Sequence, residues 1–132
     1  MAREIRMIFT ESLKKNQLFS NVYNNGKSRA DRFLVMYILK NSTDENRIGV
    51  SVSKKVGNSV VRHHLKRLVK EAYRLNETSF EKGFDIVIIA RKESKDQGFK
   101  TIEHTLIKLA KLHKIIKTEN YEENNDLSDQ GL

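Results

Sequence analysis

The chain has 132 residues, with 25 Lys or Arg against 17 Asp or Glu, and contains neither cysteine nor proline. This length fits one domain with a single core, and the missing cysteines exclude disulfides, thiolate chemistry and cysteine-ligated zinc, which suits a reducing cytoplasm. No apolar run is long enough to span a bilayer and the N-terminus lacks the apolar segment of a secretory signal, so we expect a soluble, untargeted protein.

The net charge of +8 is unevenly distributed along the chain. Residues 119–132 contain five acids and no Lys or Arg, and we expect this tail to be disordered. Residues 1–118 then hold 25 basic side chains against 12 acidic ones (17 less the five in the tail), a net charge of +13. We predict one domain over residues 1–118, with residues 1–11 as an irregular arm made basic by Arg3 and Arg6. A domain this basic is typical of proteins that bind a polyanion.

The first predicted element is a short helix. Residues 16–26, NQLFSNVYNNG, have a helical pattern with Gly26 as the C-terminal cap. The apolar side chains form two i, i+4 pairs that are rotated from each other by about 100°: Leu18 with Val22, and Phe19 with Tyr23. From spacing alone, burial of both pairs in the core is favoured over burial of only one.

Two strands are predicted next, separated by a polar turn. Residues 33–40, FLVMYILK, are rich in β-forming side chains. Residues 47–53, RIGVSVS, alternate between an apolar face of Ile48, Val50 and Val52 and a second face of Arg47, Gly49, Ser51 and Ser53. The small residues on the second face leave room for a groove, although any half-solvated antiparallel strand alternates in the same way.

The stretch from Lys54 to Arg74 predicts a loop that opens into a two-sided helix. Gly57 allows a turn and Asn58 is a good N-cap, so we expect the helix to begin at Ser59. At about 100° per residue, one side of this helix is apolar: Val61, Leu65, Leu68, Val69 and Ala72. The other side carries four cations at i, i+4 spacing: Arg62, Lys66, Lys70 and Arg74.

The density of positive charge in this stretch is high. Seven Lys or Arg stand against one acid, Glu71, with His63 and His64 among them. Like charges at i, i+4 repel by roughly 0.2–0.5 kcal/mol per pair. A solvated basic face and a face that binds an anionic partner both stay open, and the density of cations favours the second.

The remaining residues predict one strand and one helix. Residues 84–91, FDIVIIAR, form a nearly all-apolar run typical of a central strand. From Thr101 to Lys117 an apolar stripe predicts a helix: Ile102, Leu106, Leu109, His113 and Ile116. His113 has no acid or second histidine beside it, so a packed histidine is favoured over a ligand or a base. The order of elements predicts a compact α/β sandwich, with one sheet and helices against it.

Motifs for catalysis are absent from the sequence. It contains no HExxH, GxSxG or P-loop motif and no prominent pair of acids. The adjacent His63 and His64 diverge by about 100° on a helix, which is poor geometry for one metal ion. We therefore expect no catalytic residue and no metal held by protein ligands, and any hydrolysis would need chemistry supplied by another component.

The stretch SVSKKVGNSVVRHHLKRLVKEAYR resembles the signature of the bacterial ribonuclease P protein subunit, whose pattern runs KKxGNAVxRNRxKRxxRE. The resemblance covers roughly residues 13–115, including LKKNQLFSNVYNNG, FLVMYIL and FDIVIIAR. The signature is long and gapless, and therefore specific. It departs from this pattern where His63 and His64 stand in place of the family Asn and Arg, and where Lys70 replaces an Arg.

The resemblance implies a fold and a function. The fold is a two-layer α/β sandwich with a central, mostly four-stranded sheet and a left-handed crossover that contains the signature helix, as in a domain of a small-subunit ribosomal protein. The function is that of the protein subunit of ribonuclease P, which assists a catalytic RNA subunit in removing the 5′ leader of precursor tRNA. Catalysis stays with Mg²⁺ ions held mainly by the RNA, and neither a membrane nor an obligate protein partner is expected.

The resemblance also implies two sets of site residues. Contacts to the RNA subunit are expected from Lys54, Lys55, Asn58, Arg62, His63, His64, Lys66, Arg67, Lys70 and Arg74. The single-stranded leader is expected in a cleft lined by Phe19, Tyr23, Tyr37, Ser51, Ser53 and Arg91, which reverses the preference for Phe19 and Tyr23 as core. The alternatives are a ribosomal or RNA-chaperone protein and a basic helix that binds acidic membranes or calmodulin-like partners.

Overall fold

The computed structural model describes residues 7–117, which contain five strands and three α-helices. The strands are β1 (Thr10–Ser12), β2 (Lys27–Ala30), β3 (Leu34–Lys40), β4 (Asn46–Val52) and β5 (Phe84–Ala90). The helices are α1 (Asn16–Asn25), α2 (Ser59–Asn76) and α3 (Phe99–Leu112). The predicted basic residues Arg3 and Arg6 and the predicted acidic tail lie outside the described residues.

The strands form one mixed sheet in the order β1-β4-β5-β3-β2. β1, β4 and β5 are parallel to one another, whereas β3 is antiparallel to both β5 and β2. Because β4 and β5 are parallel neighbours, the chain between them must cross over the sheet, and α2 lies in that crossover. The predicted α/β fold and the position of the signature helix are confirmed.

The sheet has five strands, whereas the sequence patterns predict three and the resemblance implied mostly four. Both edge strands are invisible to pattern analysis. β1 has the sequence TES and β2 has the sequence KSRA, with every residue of β2 exposed. Neither strand alternates between apolar and polar side chains, since each pairs through its backbone with only one neighbour. The irregular structure predicted through residue 11 is therefore wrong from Thr10 onward.

Helices cover both faces of the sheet. α2 and α3 pack on the face that carries Met36, Ile48 and Ile88, where the main core lies. α1 packs on the opposite face, where Val22 and Val87 are fully buried in a smaller cluster. The two faces follow from the alternation of side chains along each strand.

The third helix is shorter at its C-terminus than the apolar stripe predicts. α3 ends at Leu112, and Lys114 adopts a left-handed backbone conformation with φ of 62°. Ile116 is still buried, but in an extended segment that bridges to Phe80 rather than on the helix. The apolar stripe therefore continues at helical spacing beyond Leu112, although the helix itself ends there.

His113 is a packed histidine, as predicted. Its half-buried ring donates a hydrogen bond from Nε2 to the backbone carbonyl of Met36, at 2.8 Å. Burial lowers the pKa of His113 below its usual value, and the nearby Arg29 and Lys27 lower this pKa further. The neutral imidazole is thus the form that the fold favours.

A buried carboxylate joins the N-terminal segment to the end of α2. Glu77 is 2% exposed and accepts hydrogen bonds from the backbone N–H groups of Ile8 and Phe9, at 2.7 and 2.8 Å. The hydroxyl of Thr10 donates to the same carboxylate at 2.7 Å and shares a 2.7 Å hydrogen bond with Tyr73. These bonds hold the chain in place just where β1 begins.

We expect Glu77→Gln to destabilise the protein. The carboxylate accepts hydrogen bonds through both of its oxygens, whereas an amide has one acceptor oxygen and places an NH₂ group where the second oxygen was. Each hydrogen bond to a charged group contributes about 1.5–3 kcal/mol. The free energy of unfolding in urea should fall by an amount of that order, and the amides of Ile8 and Phe9 should lose protection from hydrogen exchange. The exposed Glu81→Gln is the control, and equal stability of the two variants would contradict this role of Glu77.

Candidate nucleic-acid interface

The start of α2 is built as the sequence predicts. The side chain of Asn58 caps the helix by accepting a hydrogen bond from the N–H of Val61, at 3.0 Å. Gly57 is needed beside it, because a Cβ at this position would lie 2.8 Å from a methyl carbon of Val61. Lys54 and Lys55 are exposed in the turn that precedes the helix. Asn58 therefore has a structural role as the cap, whatever else it contacts.

The cations of α2 do not form the single row that the i, i+4 spacing suggested. Four residues advance about 400°, so each step along such a row moves it about 40° around the helix. Arg62 and Lys66 are consequently half-buried on one flank, whereas Lys70 is exposed on the outer side. The prediction that all four cations lie opposite the core is wrong for Arg62 and Lys66.

The outer side of α2 is still strongly basic. We call it the basic face of α2, and it consists of His63, His64, Arg67, Lys70 and Arg74. All of these except the half-buried Arg74 are exposed, and His64, Arg67, Lys70 and Arg74 line a groove of about 540 Å³ beside Met7 and Leu68. The side of the helix proposed to meet RNA thus combines several cations with a shallow concave surface.

One acid partly offsets this positive charge. The guanidinium of Arg74 donates two hydrogen bonds to Glu71, at 3.0 and 2.6 Å. These bonds lower the pKa of Glu71 and raise the pKa of Arg74 above its usual value. Of the cations on the basic face, Arg74 is therefore the one already committed to a partner within the protein.

A cleft of about 370 Å³ opens between α1, β4 and α2. Its lining residues are Asn16, Phe19, Ser20, Tyr23, Val50, Ser51, Val52 and Lys66. The groove predicted beside the small residues of β4 is confirmed. Beyond the expected Phe19, Tyr23 and Ser51, the lining includes five residues that the sequence did not assign to it: Asn16 and Ser20 of α1, Val50 and Val52 of β4, and Lys66 of α2. Lys66 was assigned to the opposite side of α2, although its helical phase near Tyr73 pointed to this flank.

Phe19 forms one wall of the cleft and also packs on the sheet. Its ring sits directly over Gly49, where a Cβ would lie 2.4 Å from the ring atom Cζ. The ring is half-buried and belongs to the small cluster around Val22. The core and cleft interpretations of Phe19 each describe part of what the structure shows.

Tyr23 lies on the rim of the cleft with 37% of its surface exposed. Its ring meets Tyr37 edge to face at 5.1 Å and Phe19 at 6.4 Å, measured between ring centroids. A side-chain hydrogen bond links Tyr23 to Ser51, and burial raises the pKa of the phenol. Tyr23 is thus a neutral aromatic side chain that its neighbours hold in place and that stays partly exposed at the rim.

Two residues expected in the cleft have other contacts. The hydroxyl of Ser53 accepts the backbone N–H of Lys55 at 3.2 Å and so closes the turn before α2. Arg91 is exposed and donates to the carbonyl of Asp31, at 3.1 Å, near the loop between β2 and β3. Neither is among the residues that line the cleft in the described part of the chain. Tyr37, which was also expected there, does not line it either and instead packs against the ring of Tyr23 on the rim.

No helix within residues 7–117 is both long enough and apolar enough to cross a membrane. The same residues contain no group of three or more His, Asp or Glu side chains placed to hold a metal ion.

The fold and these surfaces define a small, strongly basic α/β protein with a cation-rich helix beside an aromatic cleft. The sequence pattern of the Ribonuclease P family matches residues 7–114, and the chain belongs to the ribonuclease P protein family. It is accordingly a protein component of a ribonucleoprotein endoribonuclease that acts in tRNA processing.

Relatives and solved structures agree with this assignment. The chain is 55% identical over 115 residues to the ribonuclease P protein component of Lachnoclostridium phytofermentans, covering 87% of this chain and 99% of that protein. It is 52% identical over 103 residues to the ribonuclease P protein component of Clostridioides difficile, covering 77% of this chain and 90% of that protein. The RNase P protein of Staphylococcus aureus matches with a TM-score of 0.74 and 36% identity, over 80% of this chain and 96% of that one. The RNase P protein of Thermotoga maritima matches with a TM-score of 0.72 and 35% identity, over 76% of this chain and 96% of that one.

We expect Gly49→Ala to disturb the cleft from below. The added methyl group overlaps the ring of Phe19, so the ring must move, and overpacking of this kind costs about 1–3 kcal/mol. Urea unfolding should show the loss, and contacts between Phe19 and Tyr23 measured by NMR should change. Gly98→Ala is the control, since a Cβ at Gly98 meets nothing within 4 Å. Equal unfolding free energies for the two variants would refute the close packing of Phe19 on Gly49.

Proposed function

We propose that this chain binds the catalytic RNA subunit of ribonuclease P through the basic face of α2 and holds the 5′ leader of precursor tRNA in the cleft. In this way it assists the endonucleolytic removal of the leader that gives the mature 5′ end. The observation that carries the proposal is the separation of two chemically different surfaces. The cation-rich outer face of α2 is one surface, and the aromatic cleft that opens between α1, β4 and the flank of α2 is the other.

The basic face of α2 suits the phosphate backbone of a structured RNA. Arg67 and Lys70 are exposed and carry fixed positive charge, and Glu71 is the only acid among the residues that line the adjoining groove. Phosphate contacts from Lys and Arg release counterions and dominate affinity for nucleic acids. The repulsion between these cations is also relieved when an anion lies against them.

The cleft suits unpaired nucleotides of any sequence. Base stacking on an aromatic side chain contributes about 1–3 kcal/mol per base and does not depend on which base is present. Tyr23 offers a half-open ring that Tyr37 and Ser51 hold in place, and Lys66 adds a cation at the edge of the same cleft. Leaders differ between precursor tRNAs, so stacking together with a backbone contact is the appropriate chemistry.

In this proposal the protein contributes binding and orientation rather than bond cleavage. The chemistry that Mg²⁺ supplies, activation of water and stabilisation of the leaving oxygen, belongs to ions held mainly by the RNA. The proposal also places the protein in the cytoplasm, since a chain without cysteine suits a reducing compartment.

Reconstitution with a bacterial ribonuclease P RNA tests the proposal as a whole. We expect the protein alone to leave precursor tRNA intact, and the protein with the RNA to raise cleavage at low Mg²⁺ above that of the RNA alone. If the protein still cleaves precursor tRNA after rigorous removal of the RNA subunit, the assignment of catalysis to the RNA would be contradicted. An RNA chaperone, by contrast, would leave cleavage by the correctly folded RNA unchanged.

Tyr23→Ala tests the leader cleft. Loss of one stacking platform should weaken binding of the reconstituted enzyme to precursor tRNA with a long leader by about fivefold or more, from the lower end of the stacking range. Binding of leaderless tRNA and of the RNA subunit should stay as in the wild type. Leu75→Ala, which truncates another exposed apolar side chain, is the control. If the ratio of long-leader to leaderless affinity is the same in both variants, the cleft does not hold the leader.

A further inference from the structure

A second basic surface lies at the β2 edge of the sheet, away from both surfaces described above. A recess of about 740 Å³ opens there between β2, the end of β3 and the turn after α3. We call it the basic recess, and its charged and titratable lining residues are Lys27, Arg29, Lys40, His113 and Lys114. It is larger than either the cleft or the groove on α2.

The charge of the basic recess is of one sign. Four of its eleven lining residues are Lys or Arg, and none is acidic. Lys27 and Arg29 project to the same face of β2, because they are two residues apart, and their partners on β3 are Ile38 and Met36. Burial is the main cause of the lowered pKa of His113, and Arg29 and Lys27 lower this pKa further, which places both cations near the imidazole ring.

Protection of the sheet edge explains only part of this arrangement. Lysines on an edge strand prevent pairing with another chain, and Lys27 on β2 fits that role. Lys40 lies on the part of β3 that extends past its last pair with β2, so it too fits that role. Lys114, however, lies after α3 and on no strand. Its left-handed conformation ends the helix, because its N–H donates to the carbonyl of Lys111 and the N–H of Ile115 donates to that of Ala110. This turn brings to the recess a cation that edge protection does not account for.

The basic recess lies at the β2 edge of the sheet and borders both of its faces. α3 packs on the same face as α2, and the turn that ends α3 forms one wall of the recess. Asn25, at the end of α1, and Leu39, which packs against the smaller cluster, line the recess from the other face. The cleft opens between α1, β4 and α2, and β2 and β4 are three strands apart in the sheet, or about 14 Å at the usual strand spacing. An RNA that lies against the basic face of α2 can therefore continue past α3 to the wall of the recess that α3 forms.

We propose that the basic recess is a second docking surface for the phosphate backbone of the RNA subunit, separate from α2 and from the leader cleft. This inference rests on the proposed function, because it assumes that the RNA subunit is the partner on this face. Lys27, Arg29, Lys40 and Lys114 supply the phosphate contacts. The protein then holds the RNA at two points, one on α2 and one at the far edge of the sheet.

The test is the salt dependence of binding to the RNA subunit by the full chain. The double variant Lys27→Gln with Arg29→Gln removes two cations from exposed positions of β2. If both contact phosphate, the slope of log affinity against log salt falls by about two units, and the loss of affinity between about 50 and 200 mM salt shrinks by about tenfold. The control is Lys95→Gln with Lys100→Gln, which removes the same charge from exposed positions outside the recess and keeps the wild-type slope.

A second variant tests the same inference in case the double variant fails to fold. Lys114→Asn keeps a residue that tolerates the left-handed conformation and removes one charge, so the slope falls by about one unit. If both recess variants keep the wild-type slope while Arg67→Ala lowers it, the inference fails and the proposed function stands. If the wild-type protein shows no salt-dependent binding to the RNA subunit, the proposed function itself fails. If the recess variants weaken binding to tRNA but not to the RNA subunit, the assignment to the RNA subunit is overturned.

Discussion

The parallel pairing of β4 with β5 is the constraint on which the rest of the molecule depends. Parallel neighbours require a crossover, and here the crossover carries the helix that displays the basic face. The pairing is anchored at its first rung by Arg47 and the buried Asp85, joined by two hydrogen bonds of 2.8 Å. Asn41 donates to the same carboxylate at 3.0 Å, so this corner of the sheet has little freedom to shift.

The position of α2 then decides which of its side chains can meet a partner. Leu65, Val69, Ala72 and Tyr73 are fully buried against the sheet and α3, and this burial stabilises a helix whose outer side is self-repelling. The same anchoring turns the flank with Lys66 toward α1. One rigid helix thereby contributes to both the basic face and the cleft, so both surfaces keep a fixed distance from each other without a hinge.

Sequence patterns predict the elements that bury apolar side chains and miss those that do not. The start of α2, the strands β3, β4 and β5, and the packed His113 follow from periodicity and capping, because each of these features is set by local chemistry. β1 and β2 pair through the backbone alone and leave no such signal. Lys66 lies in the cleft for two reasons. Each four-residue step rotates the row of cations about 40° around the helix, which the sequence alone predicts. The position of α1 beside that flank, by contrast, is known only from the tertiary structure. The contacts of Ser53 and Arg91 likewise arise between segments that the sequence does not relate to each other.

The central claim is that two surfaces of one small domain bind two different RNAs, and photo-crosslinking measures this most directly. A photoreactive benzoylphenylalanine would replace Tyr23 in one protein and Arg67 in another, each assembled with the RNA subunit and a precursor tRNA with a long leader. The account predicts that position 23 labels leader nucleotides and position 67 labels the RNA subunit, each with little labelling of the other RNA. Labelling of the same RNA from both positions, or of the RNA subunit from position 23, would contradict it.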